Sequence, residues 1–121
     1  MNKLIGNFIQ SNARVLDLGC GDGSLLAFLK KNNQVKGLGL EIDHKKIQEC
    51  LQKDVSVIDQ DIDSGLSNFQ DQSFDAVIMS QSIQALRKPE VALEEITRIG
   101  KEAIISIPNF ANWRCRLQLI F

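Results

Sequence analysis

The stretch Val15-Leu16-Asp17-Leu18-Gly19-Cys20-Gly21-Asp22-Gly23 constrains this chain more than any other. A short apolar run halts at three glycines spaced two apart, and Leu25, Phe28 and Leu29 then recur at helical spacing. That pattern predicts a strand, a tight turn and a helix. Glycine suits such a turn because positive φ is unstrained only without a Cβ, and because bare backbone lets a ligand come close. In open α/β sheets ligands bind beyond the carboxyl ends of the strands, which is where this turn falls.

Charge and spacing narrow the ligand. The dinucleotide fingerprint needs its third glycine where Ser24 stands, and the Gly-Lys-Ser/Thr ending of a P-loop is missing. Asp17 and Asp22 put two carboxylates at the turn, so a pyrophosphate would be repelled despite the helix N-terminus. Opposite charges about 4 Å apart near a protein surface gain roughly 4 kcal/mol before desolvation is subtracted. The acids therefore favour a cationic, phosphate-free ligand. S-adenosylmethionine, with a sulfonium and an ammonium, has that chemistry; an NAD-linked oxidoreductase does not fit.

At 121 residues the chain is expected to form one domain, 1–121. With 44% hydrophobic and 24% charged residues it has the composition of a folded globular protein. A net charge of −1 offers no whole-chain attraction to nucleic acid or an anionic membrane. Cys20, Cys50 and Cys115 are scattered and odd in number, and His44 is the only histidine, so neither a disulfide framework nor a metal site is expected. With no signal peptide and no membrane-length apolar run, a cytoplasmic location is expected.

In chain order, residues 2–12 read as a short helix, 14–18 as the first strand, 24–31 as a helix and 35–41 as the second strand. Glu41 closes that strand. A carboxylate there suits two adjacent ribose hydroxyls, although a solvated strand-end acid is the plain alternative. Asp43 reads as the N-cap of a helix over 44–53, which places His44 on the surface. Strands are expected at 55–58, 74–79 and 103–107, with a loop over 65–73. A helix opens at Pro89 and closes at Gly100, carrying Glu94 and Arg98 as an exposed i, i+4 pair. Beyond Pro108, the residues Phe110, Trp113, Leu117, Ile120 and Phe121 would share one helical face.

Asp17-x-Gly19-x-Gly21-x-Gly23 resembles the first motif of the class I S-adenosylmethionine-dependent methyltransferases. Taken with residues 17–26, Ser80-Gln81-Ser82-Ile83-Gln84 and Ser106-Ile107-Pro108-Asn109-Phe110, the chain is similar to the MetW family of methionine biosynthesis. The resemblance implies a Rossmann-like three-layer αβα sandwich with a parallel sheet in the order 3-2-1-4-5. It implies S-adenosylmethionine as cofactor and S-adenosylhomocysteine as product. The cofactor would be held by Asp17, Gly19, Cys20, Gly21 and Gly23 at the turn and by Glu41 and Ile42 after the second strand. By the same resemblance Asp61 takes the adenine amino group, the Ile62 backbone reaches a ring nitrogen, and the Ser80-Gln81 backbone touches the methionine portion. Asp61 can also be read as a simple turn residue, with Asp59 and Asp63 as competitors.

Two activities fit that resemblance: methyl transfer to an unspecified acceptor, and a cofactor-sensing accessory role beside the homoserine O-acyltransferase of methionine synthesis. The acid-histidine pair of many class I methyltransferases has no counterpart near Gln84-Ala85, so no catalytic base is assigned. Gln84, Asn109 and Trp113 are expected at strand ends on the acceptor side, with simple packing or turn roles as the alternative for all three. The family pattern runs to seven strands, the last two a hairpin, whereas five are legible here. The expectation is a C-terminally truncated domain with a bare edge on its fifth strand, prone to self-association through the apolar 110–121 segment.

Overall fold

A computed structural model describes residues 2–80, 86–106 and 114–118. The elements in order are α1 (Asn2–Gly6), β1 (Arg14–Leu18), α2 (Ser24–Asn33), β2 (Lys36–Glu41), α3 (His44–Gln52), β3 (Val57–Asp59), a 3-10 turn (Ile62–Ser64), β4 (Ala76–Ser80), α4 (Pro89–Ile99), β5 (Glu102–Ser106) and β6 (Arg114–Gln118). They form one sheet in the order β3-β2-β1-β4-β5-β6. The first five strands in that order are parallel, as expected, and β6 runs antiparallel to β5.

The sheet is covered on both sides because its strands are apolar at alternate and intervening positions alike. On one face Val15, Ile78 and Ile104 pack with Ile5, with Leu25, Leu26 and Leu29 of α2, and with Cys50 of α3. On the other, Leu16, Leu18, Leu40, Val77, Met79 and Ala103 pack with Leu66, Phe74, and Ile96 and Ile99 of α4. These two clusters make the three layers. Asp17 is the one buried charged residue among the described residues.

Two local expectations are overturned. Within the segment expected to form a helical face, Arg114–Gln118 is instead a strand whose register runs from Ser106↔Arg114 to Glu102↔Gln118. Cys115 and Leu117 alternate with Arg114, Arg116 and Gln118, a period of two that the wider aromatic spacing obscures. The ladder groups offered by β5 favour that alternation, so the edge of β5 is paired rather than bare. Phe110, Trp113, Ile120 and Phe121 lie outside the described residues.

Nor does Arg98 pair with Glu94. Its Nε and Nη2 donate to Glu95, its Nη1 to Asp71 and the Phe69 carbonyl, and Nη2 also to the Leu66 carbonyl. A planar five-donor fork satisfies more partners by reaching inward than an exposed i, i+4 pair allows. The result straps the 65–73 loop onto α4.

Candidate functional site

The order 3-2-1-4-5 reverses direction at β1 and β4, and a cavity opens where such a sheet binds ligands, beyond its carboxyl ends. It encloses about 580 Å³ and is lined by residues 19–22 of the turn, 40–42 of β2 and its exit, Lys46 of α3, 60–63 after β3, and Leu86. That volume is in the range of small-molecule pockets. Its lining carries four acids (Asp22, Glu41, Asp61 and Asp63) against one Lys46, so it is net negative. A second cavity, of about 450 Å³, lies at the amino ends of β1 and β2 and is lined instead by Arg14, Lys30 and Lys36.

The turn owes its shape to Gly19, Gly21 and Gly23, with φ of 71°, 60° and 82°. A Cβ on Gly21 would meet nothing within 4 Å, so that side of the backbone is open space. Gly23 is different. A Cβ there would come within 3.0 Å of the Cys50 sulfur and 3.3 Å of its Cα, so this glycine serves the packing of α2 on α3. Gly23 is also absent from the cavity wall.

Glu41 ties the second strand to the turn. Its Oε1 accepts the Gly21 N–H at 2.8 Å, and Oε2 accepts the N–H groups of Ile42 and Asp43 at 3.1 Å each. A carboxylate offers about four acceptor sites, so capacity remains for a ligand hydroxyl. Asp43 caps α3 as expected, accepting from the Lys45 and Lys46 N–H groups. Beside it Ile42 is 57% exposed on the cavity wall, an apolar surface suited to a flat ring.

The three acids after β3 separate by their partners. Asp59 is held by His44 at 3.0 Å and does not line the cavity. Asp63 accepts the Arg87 N–H at 3.1 Å and lies 3.8 Å from its Nε. Asp61 accepts only a local bond, from the Asp63 N–H to Oδ1, as cap of the 3-10 turn. Asp61 thus caps the turn and also lines the cavity, and Ile62 follows it on the wall. Ser80 ends β4 in register with Ser106; Gln81, like Gln84, Asn109 and Trp113, lies outside the described residues.

A family model for the methionine biosynthesis protein MetW matches residues 2–121. The chain belongs to the MetW family. Over 111 residues it is 37% identical to the bifunctional methionine biosynthesis protein MetXA/MetW of Rhodopirellula baltica, spanning 85% of this chain but 18% of that protein. It is also 28% identical over 110 residues to the mitochondrial arginine-hydroxylase NDUFAF5 of Mus musculus, covering 86% of this chain and 32% of the other. Among solved structures, the TehB-like S-adenosylmethionine-dependent methyltransferase of Corynebacterium glutamicum superposes with a TM-score of 0.72 at 25% identity, over 86% of this chain and 59% of that one. The Rossmann-like fold of this MetW family member is thus shared with that S-adenosylmethionine-dependent methyltransferase.

Asp17 lies beneath the turn rather than on the cavity wall, 1% exposed, and its Oδ1 has no hydrogen-bond partner among the described residues. Burial, and then the charge of Glu41, raise its carboxyl to about 7. An orphaned buried acid under an acid-lined pocket fits a cationic group, and the acidic lining opposes a pyrophosphate. Lys46, Gln60 and Leu86 join the lining without any sequence signal, since only the fold brings them there. Cys50 was equally hidden: thirty positions from Cys20, its sulfur comes within 3.7 Å of the Cys20 sulfur.

Proposed function

We propose that the cavity binds S-adenosylmethionine and that the chain is a methyltransferase of the MetW type. The observation that carries this reading is the junction of the open Gly21 backbone, the Glu41 carboxylate and Asp61 in one acid-lined pocket at the carboxyl ends of β1, β2 and β3. When bound, the cofactor supplies a methyl group already activated by its sulfonium. The chain's own work is then to bind and orient. Glu41 would accept from the ribose hydroxyls, and Asp61 and the Ile62 backbone would read the adenine edge against the exposed face of Ile42. Gly19, Cys20 and Gly21 would form the floor under the methionine portion, with Asp17 beneath them, Gly23 supporting from behind and the Ser80-Gln81 backbone closing the other side.

A second reading, in which the chain senses the cofactor and serves a homoserine O-acyltransferase without transferring methyl itself, is favoured by one observation. The Rhodopirellula baltica relative carries MetXA and MetW in one bifunctional protein. Both readings place the protein in the cytoplasm with the enzymes of methionine synthesis. No helix among the described residues is long and apolar enough to cross a membrane. Incubation with methyl-labelled cofactor, with and without purified acyltransferase, tests both. Label transferred to a small molecule or to the acyltransferase supports the enzyme. Cofactor binding with no label transferred under either condition supports the sensor.

A further inference from the structure

The two sulfurs that the fold brings together sit at the cofactor turn itself. Cys20 and Cys50 lie 3.7 Å apart, and the Cys50 thiol donates to the Gly21 carbonyl at 3.1 Å. Each sulfur rests against a glycine. A Cβ on Gly39 would clash with the Cys20 sulfur, and one on Gly23 would crowd that of Cys50. Cys20 is 8% exposed and lines the cavity, whereas Cys50 is 0% exposed behind it. No group of three ligating side chains suited to a metal ion occurs among the described residues.

We propose that Cys20 and Cys50 are a modification site, closing to a reversible disulfide with a small-molecule disulfide of the glutathione class and thereby weakening cofactor binding. An S–S bond is about 2.0 Å, so the sulfurs need to approach by roughly 1.7 Å. Cys20, reached through the cavity, gives up its proton and attacks one sulfur of the oxidant. The first small thiol leaves with a proton. Cys50 then gives up its proton and attacks the Cys20 sulfur, and the second small thiol leaves with a proton. One S–S bond and two protein S–H bonds break; one protein S–S bond and two S–H bonds on the released thiols form. Burial raises both thiols above their ordinary range, Cys50 and Asp17 adding to the effect on Cys20, so the exchange is slow.

Closure removes the thiol proton that Cys50 gives to the Gly21 carbonyl and pulls on a turn whose Gly21 N–H is fixed by Glu41. Cofactor in the cavity would in turn cover Cys20, and such linkage is reciprocal. This coupling rests on the proposed cofactor reading; disulfide formation itself does not.

The test treats the reduced chain with oxidised glutathione, with and without saturating S-adenosylmethionine, and a Cys115→Ser variant in parallel to remove the third thiol. Intact mass, peptide mapping and calorimetric titration follow. The expected result is loss of two hydrogens, a Cys20–Cys50 crosslink that dithiothreitol reverses, protection by cofactor, and affinity at least about tenfold weaker after oxidation. Free Cys20 and Cys50 after the treatment overturn the proposal, as does an oxidised protein that binds cofactor as tightly as the reduced one. Reduced protein that binds no cofactor refutes the functional reading instead, and the mass measurement then decides the disulfide alone.

Discussion

Replacing Asp17 by Asn should change how stability depends on pH. The folded protein holds this carboxyl at about 7, against its ordinary value of 3.8. Between those values the folded state keeps a proton that the unfolded state has lost. Stability contributed by this group is therefore full below about pH 4 and disappears as pH rises through 7. Linkage with that shift gives a loss of roughly 2–3 kcal/mol between pH 5 and pH 8. Asp17→Asn cannot ionise, so its stability relative to the parent should rise by about that amount over the same interval. Urea unfolding of both proteins at pH 5, 6, 7 and 8 measures the difference directly. A cation bound above the turn would favour the ionised carboxyl, so the parent should also bind S-adenosylmethionine more tightly at pH 8 than at pH 6, with proton release that Asp17→Asn lacks. If the two stability curves run parallel from pH 5 to pH 8, Asp17 is an ordinary ionised acid and the reasoning fails.

Other substitutions probe neighbouring parts of the site. Glu41→Ala removes an acceptor of three backbone N–H bonds and the partner assigned to the ribose; with each charged hydrogen bond worth about 1.5–3 kcal/mol, cofactor affinity should fall roughly tenfold or more, and unchanged calorimetric affinity would remove Glu41 from the site. At Gly21 an added Cβ meets nothing within 4 Å, but Gly21→Val is forced into positive φ, so a destabilisation of about 1–2 kcal/mol with loss of cofactor binding is expected; a folded variant with normal affinity would return the turn to a purely structural role. Ending the chain at Asn109 removes β6 and bares the edge of β5, so the shortened form should self-associate more than the whole chain, and sedimentation showing the reverse would mean that the 110–121 segment itself drives association.

Much of this was legible because strand and turn chemistry are local. The alternation into Gly19, Gly21 and Gly23 marks the turn, Asp43 announces its helix, and the acid at Glu41 falls at a strand end that any parallel sheet brings beside the first. What was hidden depends on partners far along the chain. Cys20 meets Cys50 only because α3 packs against the turn at Gly23, and Arg98 prefers Asp71 and two loop carbonyls to its neighbour Glu94. In Arg114–Gln118 a two-residue period competes with a wider aromatic pattern, and pairing with the edge of β5 decides for the strand. Gly23 carries a packing constraint that its motif does not announce. Its place in the motif suggests ligand contact, yet its crowded side faces a cysteine.

The most direct measurement is a calorimetric titration of the reduced chain with S-adenosylmethionine, with NAD titrated beside it. One site for S-adenosylmethionine, weakened in Glu41→Ala, and no heat from NAD are predicted. No binding of S-adenosylmethionine, or NAD bound equally well, would contradict the account.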